Sequence, residues 1–311
     1  MGLLDFLYSQ LMFTPTYPTS SCEGQTIIVT GSNSGLGKEA ARHFARLGSS
    51  KIILAVRDIK AGDAAKQDIE TTTKCNPAIL EVWPLDLASY KSVRVFASRA
   101  SQLPRIDTLV SNAGISTNKW ELIQGYECTI AINVISTFYL AMLMLSKLKS
   151  SAKEFGIQTH ITVVSSERED NTFEALNIQS TGTFPERYPT SKLLEVLVVR
   201  QVAPHLEGSG VILNVLSPGL CHSALAREGN RFLTIMKFLF ARTSEMGSRT
   251  LVSAATAGPE SNGRYVHNGK VDDAALSSFV VSEDGEKASQ KVWKELETIL
   301  ESIQPGITES L

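Results

Sequence analysis

The chain is poor in cysteine, with four among 311 residues: Cys22, Cys75, Cys128 and Cys221 lie far apart, in no CxxC pair or His/Cys cluster. That spacing indicates neither a disulfide framework nor a zinc site, so the expected metal content is none and the expected compartment reducing. Runs of like charge are also missing, and the formal net charge is only −2. No nucleic acid is therefore expected among the partners, and small molecules are. No repeat, low-complexity tract or internal linker divides the chain. Residues 1–18 carry Leu3, Leu4, Phe6, Leu7, Leu11, Met12 and Phe13, but this apolar run is too short to span a bilayer and lacks the basic flank of a signal peptide. Phe6 stands where a myristoylation signal needs Ser or Thr. Two readings of this segment stay open: a helix docked on its own domain, or peripheral contact with a membrane surface. The expected location is cytoplasmic, with membrane association through this segment as the second reading.

What is present is alternation. Apolar, β-branched runs at Thr26–Thr30, Lys51–Val56, Ala78–Trp83, Ile106–Val110, His160–Val164, Val211–Leu216 and Gly263–Val266 read as strands. Helical patterns at Gly35–Leu47, Asp58–Thr71, Ser89–Gln102, Gly125–Ser150, Tyr188–Ala203 and Ser244–Thr256 separate them, and a helical stripe runs from Gly285 to Ile303. Near-continuously apolar strands alternating with helices predict an α/β class: a single-domain, doubly wound Rossmann fold with a mostly parallel central sheet and helices on both faces. The domain is expected over 25–311, after an amphipathic extension at 1–24. Ligands bind such folds beyond the carboxyl ends of the strands.

Three stretches at such ends carry chemistry. Thr30, Gly31, Ser32, Asn33, Ser34, Gly35, Leu36 and Gly37 link a strand to a helix with the spacing GxxxGxG. Glycines there let the backbone turn tightly against a pyrophosphate, while free N–H groups and the helix dipole favour the anion. At the end of the second strand, Arg57 is the cation that accommodates a 2′-phosphate, which points to NADP(H). Asp58 reads as a helix N-cap, with a ribose ligand as the alternative. Tyr188 and Lys192 stand four apart, on one helix face, so a phenol and an ammonium share the same space. A nearby cation stabilises phenolate and makes Tyr188 a candidate general acid/base. Pro189 suits the first turn of that helix.

Together these motifs resemble the short-chain dehydrogenase/reductase family, and within it the retinol-dehydrogenase-like enzymes and their fungal relatives, over roughly Gln25 to Val266. The resemblance implies that Asp86 and Leu87 contact adenine and that Asn112, Ala113 and Gly114 close the fourth strand against the cofactor. It implies a catalytic set of Asn133, Ser166, Tyr188 and Lys192, with Ser165 the rival to Ser166, and nicotinamide contacts from Pro218, Gly219 and Ser223. Two departures stand out: Ser111 replaces the family's usual Asn, and Ser166 and Tyr188 are 22 positions apart, a longer connection than in many relatives. The added loop, Glu167–Pro185, is expected to rim the pocket. Family members pair through helices like Gly125–Ser150 and Tyr188–Ala203, which implies a homodimer. Leu225, Phe232, Leu233, Ile235, Met236, Phe238, Leu239 and Phe240 crowd a segment, about 220–243, that is a substrate lid in the family. So many large apolar side chains imply a bulky apolar substrate from secondary metabolism, interconverted between ketone or aldehyde and alcohol. A cofactor-binding isomerase or a non-redox scaffold is the competing reading.

Overall fold

The structure, a computed structural model, describes residues 10, 12–166, 187–222 and 240–311. Its frame is an eight-stranded sheet assembled from the apolar runs. β1 (Thr26–Thr30), β2 (Lys51–Val56), β3 (Leu80–Pro84), β4 (Thr108–Ser111), β7 (Thr159–Val164), β8 (Val211–Ser217), β9 (Tyr265–His267) and β10 (Lys270–Val271) lie in the order β10-β9-β8-β7-β4-β1-β2-β3. Every pairing is parallel except β9 with β10. The chain builds outward from β1 to β3, then returns to place β4 on the other side of β1. This reversal leaves a crevice between the carboxyl ends of β1 and β4, where ligands bind open α/β sheets.

One face of the sheet carries α1 (Gly35–Arg46), α2 (Ile59–Thr73) and α6 (Ser244–Ala255), with Phe44, Ile69 and Leu251 fully buried between them and the strands. The opposite face carries α3 (Tyr90–Ser101), α4 (Cys128–Phe155) and α5 (Arg187–Val202), over a core that includes Phe96, Phe138, Tyr139 and Leu197. Alpha4 is long and apolar enough to cross a membrane, but 89% of its apolar window is buried inside the protein. Outside α5 lies α7 (Glu283–Ile303), whose Val292, Leu296 and Leu300 are buried as the helical stripe predicts, together with Trp293 beside them.

Local differences from the sequence reading have physical causes. Residues 77–79 form a 3₁₀ turn started by Pro77 and capped by Asn76, so the strand read from Ala78 begins at Leu80. The strand read from Gly263 begins at Tyr265, because Gly263 sits at φ +71 in the preceding turn. The helix read from Gly125 begins at Cys128. Gln124 and Gly125 both take positive φ, the turn of a small hairpin between β5 (Leu122–Ile123) and β6 (Tyr126–Glu127). Glu127 then caps the helix, its carboxylate accepting from the Thr129 and Ile130 amides.

The expected pairing surface is also covered. Thirteen of the sixteen residues of α5 are buried within the single chain. Alpha7 packs along it, with Ser289 Oγ donating to the Leu197 carbonyl. The chain's last turn meets α4, where Lys149 Nζ donates to the carbonyl oxygens of Ser310 and Leu311. The C-terminal helix and last turn thus cover α5 and meet α4 at Lys149 within the single chain.

Candidate active site

The crevice between β1 and β4 is held by Thr30. Its hydroxyl, almost wholly buried, accepts from the amides of Asn112 (3.0 Å) and Ala113 (2.9 Å). Asn112 returns the link, its side-chain amide donating to the Thr30 carbonyl at 2.8 Å. Gly31 follows at φ +65, and a Cβ there would lie 2.9 Å from the Ala113 Cα. A Cβ on Gly37 would lie 2.5 Å from Asn112 Nδ2. These two glycines let strand, turn and helix close on one another. Gly35 differs, since it has φ +57 and a Cβ there would meet nothing within 4 Å. Ser34 is extended and exposed, and its side chain makes no capping bond to α1. The helix start thus presents uncapped N–H groups to open space, a cradle that fits the phosphates of a dinucleotide. Ser32 is not free for such contacts, because it is fully buried and donates to the Val29 carbonyl. Asn33 and Leu36 line the partly exposed side of the turn.

Arg57 is exposed at the end of β2. Asp58 accepts from the Ala61 amide at 3.1 Å, which makes it the N-cap of α2 as the sequence suggested. Asp86 shapes the turn after β3, accepting from the Ala88 amide, and the Leu87 carbonyl takes a hydrogen bond from Ser136 Oγ at 2.6 Å.

At the carboxyl ends of β4 and β7 the remaining candidates come together. A Cβ on Gly114 would lie 3.1 Å from Asn133 Oδ1 and 3.7 Å from Lys192 Nζ, so a side chain there would crowd the Asn133 amide. Asn133 sits in a π-helical stretch of α4, residues 131–136, a distortion that frequently accompanies functional sites. Its Oδ1 accepts from the Ile115 amide, and its Nδ2 donates to the Ile115 carbonyl and to Ser191 Oγ at 2.9 Å. Asn133 thereby ties the loop after β4 to the start of α5. Lys192 Nζ lies 5.7 Å from the centre of the Tyr188 ring. Ser165 is buried, with its hydroxyl donating to the Lys192 carbonyl. Ser166, one residue further on, is partly exposed.

Sequence reasoning missed Glu195, one turn beyond Lys192. Its carboxylate accepts from Lys192 Nζ at 2.8 Å, and both side chains are buried. Burial pushes the Glu195 carboxyl up to about 7 against the opposing pull of Lys192. Burial also pushes the Tyr188 phenol up; Lys192 works the other way, while Glu195 and Cys221 add to the rise. The pull of Lys192 toward phenolate is thus outweighed, first by burial and then by the Glu195 carboxylate. The apolar spacing of Leu193, Leu194 and Val196 around Glu195 was the available signal: a lone acid within a buried helical run needs a partner. Arg187 was missed too. Its guanidinium stacks on Trp120 at 4.0 Å and lies 3.8 Å from Glu127 Oε1.

Pro218 and Gly219 follow β8, and Ser223 lies outside the described residues, as do the loop Glu167–Pro185 and most of the segment 220–243. The two ends of that segment are described, and they pair: the Arg242 amide donates to the Leu220 carbonyl and the His222 amide to the Arg242 carbonyl. Gln10 Nε2 donates to the Leu220 carbonyl, and Arg242 to that of Phe13. Residues of the N-terminal extension thus dock on their own domain beside this neck. Among the described residues no group of three or more His, Cys, Asp or Glu side chains is placed to hold a metal.

A family model described as short chain dehydrogenase matches residues 25–233. The chain belongs to the short-chain dehydrogenase/reductase family. Within this family of oxidoreductases it is 44% identical to the short chain dehydrogenase/reductase of Cryptosporiopsis sp., over 98% of this chain and 99% of the relative. It is 42% identical to a short-chain dehydrogenase of Penicillium roqueforti, over 99% and 85%. The fold matches the crystal structure of NADPH-bound carbonyl reductase from chicken fatty liver with a TM-score of 0.61 and 20% identity, covering 80% of this chain and 99% of that one. At that identity the likeness is one of fold.

Proposed function

We propose that the protein is an NADP(H)-dependent oxidoreductase that interconverts a ketone or aldehyde and an alcohol on a bulky, largely apolar small molecule of secondary metabolism. The observation that carries this reading is the convergence of Gly114, Asn133, Tyr188 and Lys192 beside the uncapped start of α1, at one end of the sheet. The turn from Thr30 to Gly37, the Ser32 side chain excepted, holds the pyrophosphate, and Arg57, exposed at the end of β2, meets the 2′-phosphate. When bound, NADP(H) supplies or accepts the hydride. Tyr188 exchanges a proton with the substrate oxygen, Ser166 orients that oxygen, and Lys192 directs its remaining N–H toward the nicotinamide ribose. Asn133 braces the loop after β4, and the remaining lone pair of its Oδ1 is available to a relay water. Pro218, Gly219 and Ser223 contact the nicotinamide, and Asp86 and Leu87 the adenine. The carbonyl reductase that shares this fold binds NADPH, which supports the choice of cofactor.

The test is loss of NADPH absorbance with matched small polar and large apolar ketones. Turnover should favour the apolar members. Tyr188→Phe should abolish turnover while leaving NADPH binding within a few-fold of wild type, because only the hydroxyl is removed; Lys192→Ala should impair both. Wild-type kcat in Tyr188→Phe would refute the assignment. Substrate conversion with no net change in nicotinamide would favour the isomerase reading instead.

A further inference from the structure

Lys192 is held from two sides. Its ammonium has three N–H donors; one meets the Val164 carbonyl at 2.8 Å and another the Glu195 carboxylate, also at 2.8 Å. One donor is left for the pocket. A single carbonyl would not fix the direction of that third N–H, whereas a carbonyl and a carboxylate together do. The carboxylate also changes what Tyr188 experiences. An isolated ammonium at this range stabilises phenolate, but an ammonium with a carboxylate against it presents a dipole, whose field falls off faster than that of a charge.

The groups acting on this cluster come from three elements. Tyr188, Lys192 and Glu195 stand on α5, Ser165 at the end of β7 lies against Glu195, and Cys221 follows β8 and faces Tyr188. Of these only Lys192 is cationic, and only Glu195 is a carboxylate.

We propose that Glu195 is a positioning residue of the active site: its carboxylate aims the Lys192 ammonium and cancels much of the positive field that would otherwise reach the Tyr188 hydroxyl. Glu195 thereby sets the alkalinity at which Tyr188 takes on and gives up its proton. The inference rests on the proposed proton-exchanging role of Tyr188, yet it can be measured without turnover.

The test follows tyrosinate absorbance against pH in wild type and in Glu195→Gln, each corrected with the matching Tyr188→Phe protein so that the difference reports Tyr188 alone. Glutamine keeps the shape and removes the charge. Tyr188 should ionise at least about one pH unit lower in Glu195→Gln, at the lower end of what an uncompensated nearby cation produces. An unchanged or higher midpoint would overturn the proposal. Should Glu195→Gln not fold, wild-type protein labelled with δ-¹³C glutamate serves instead. One carboxyl resonance should titrate near pH 7, apart from the rest, and move when NADP⁺ is added, because the ribose then engages the same ammonium. If all carboxyls titrate together, or the outlying one ignores NADP⁺ whose binding is confirmed by fluorescence, Glu195 has no such role. Lack of turnover with every carbonyl tested would refute the proposed function while leaving both of these readings intact.

Discussion

Thr30→Val tests whether the hydroxyl that joins β1 to β4 holds the cofactor crevice together. Valine reproduces the shape of threonine, so packing is retained and the change is confined to one oxygen. That oxygen accepts from two backbone amides, of Asn112 and Ala113, at 3.0 and 2.9 Å, in a side chain only 1% exposed. A buried donor left without a partner costs about 1–3 kcal/mol. The Asn112 amide keeps a second acceptor in the Val110 carbonyl, so chiefly the Ala113 amide is orphaned, at a crevice that water partly reaches; the cost should be about 1–3 kcal/mol, or a fall in Tm on the order of 2–5 °C for a chain of this size. Urea unfolding of the cofactor-free protein measures the first figure and calorimetry the second. Thr30→Ser keeps the acceptor and loses only a methyl, so it should cost no more than about 1 kcal/mol. The NADPH Kd should rise in Thr30→Val, because Gly31 and Asn112 are positioned by the same bonds. Stability of Thr30→Val within about 0.5 kcal/mol of wild type, or a Thr30→Ser protein equally damaged, would show that the hydroxyl does not secure the two strands.

Arg57→Ala should weaken NADPH binding by roughly 10- to 150-fold, the equivalent of about 1.5–3 kcal/mol for a charge-assisted contact, and leave NADH nearly unaffected; fluorescence titration of both cofactors decides it. The pH dependence of stability should carry the signature of Glu195. Its folded-state pKa is raised from 4.5 to about 7, so the stability it contributes is fully present below pH 4.5 and is lost as pH rises through 7. Urea unfolding of wild type should therefore decline relative to Glu195→Gln between pH 4.5 and 7 and run parallel to it above that. Lys192, whose pKa is raised although burial alone would lower it, stays charged throughout this window and adds no slope. With the outer face of α5 under α7, sedimentation should give a monomer of 33.8 kDa, and a dimer held through α4 and α5 would contradict the packing.

Much of this could be read before any coordinates. The strands at Thr26–Thr30 and Lys51–Val56 are uninterrupted apolar runs between turn residues, and such runs have little choice but the middle of a parallel sheet. Asp58 was legible as a cap because its partner, the Ala61 amide, is three residues away. Interactions of this kind are local and leave a pattern in the sequence. The rest depended on contacts between distant segments. Nothing near Gly125 announced that Gln124 would take φ 55 and turn a hairpin, since Gln has no preference for that conformation. Alpha5 gave no sign of what would cover it, because a helix buried on every side shows no amphipathic face from which to infer one. The net shift on Tyr188 could not be read from Tyr188 and Lys192 alone, because a two-residue motif shows neither how deeply the pair is buried nor the third charge beside it.

The docking of the N-terminal extension bears on the order in which the chain folds. Gln10 bonds to Leu220, 210 positions away, and Arg249 donates to the Pro15 carbonyl across 234. Tyr17 is packed between Arg46 and Arg249, with its ring edge-on to His43. A growing chain exposes this segment first but cannot seat it until residue 249 has been made, by which time the strands from β1 to β8 are available to pair. The described residues Gln10, Phe13, Pro15 and Tyr17 must therefore wait for these partners through nearly the whole of synthesis. Docking of the extension is among the last contacts to form, and the long loop it closes makes it a slow one.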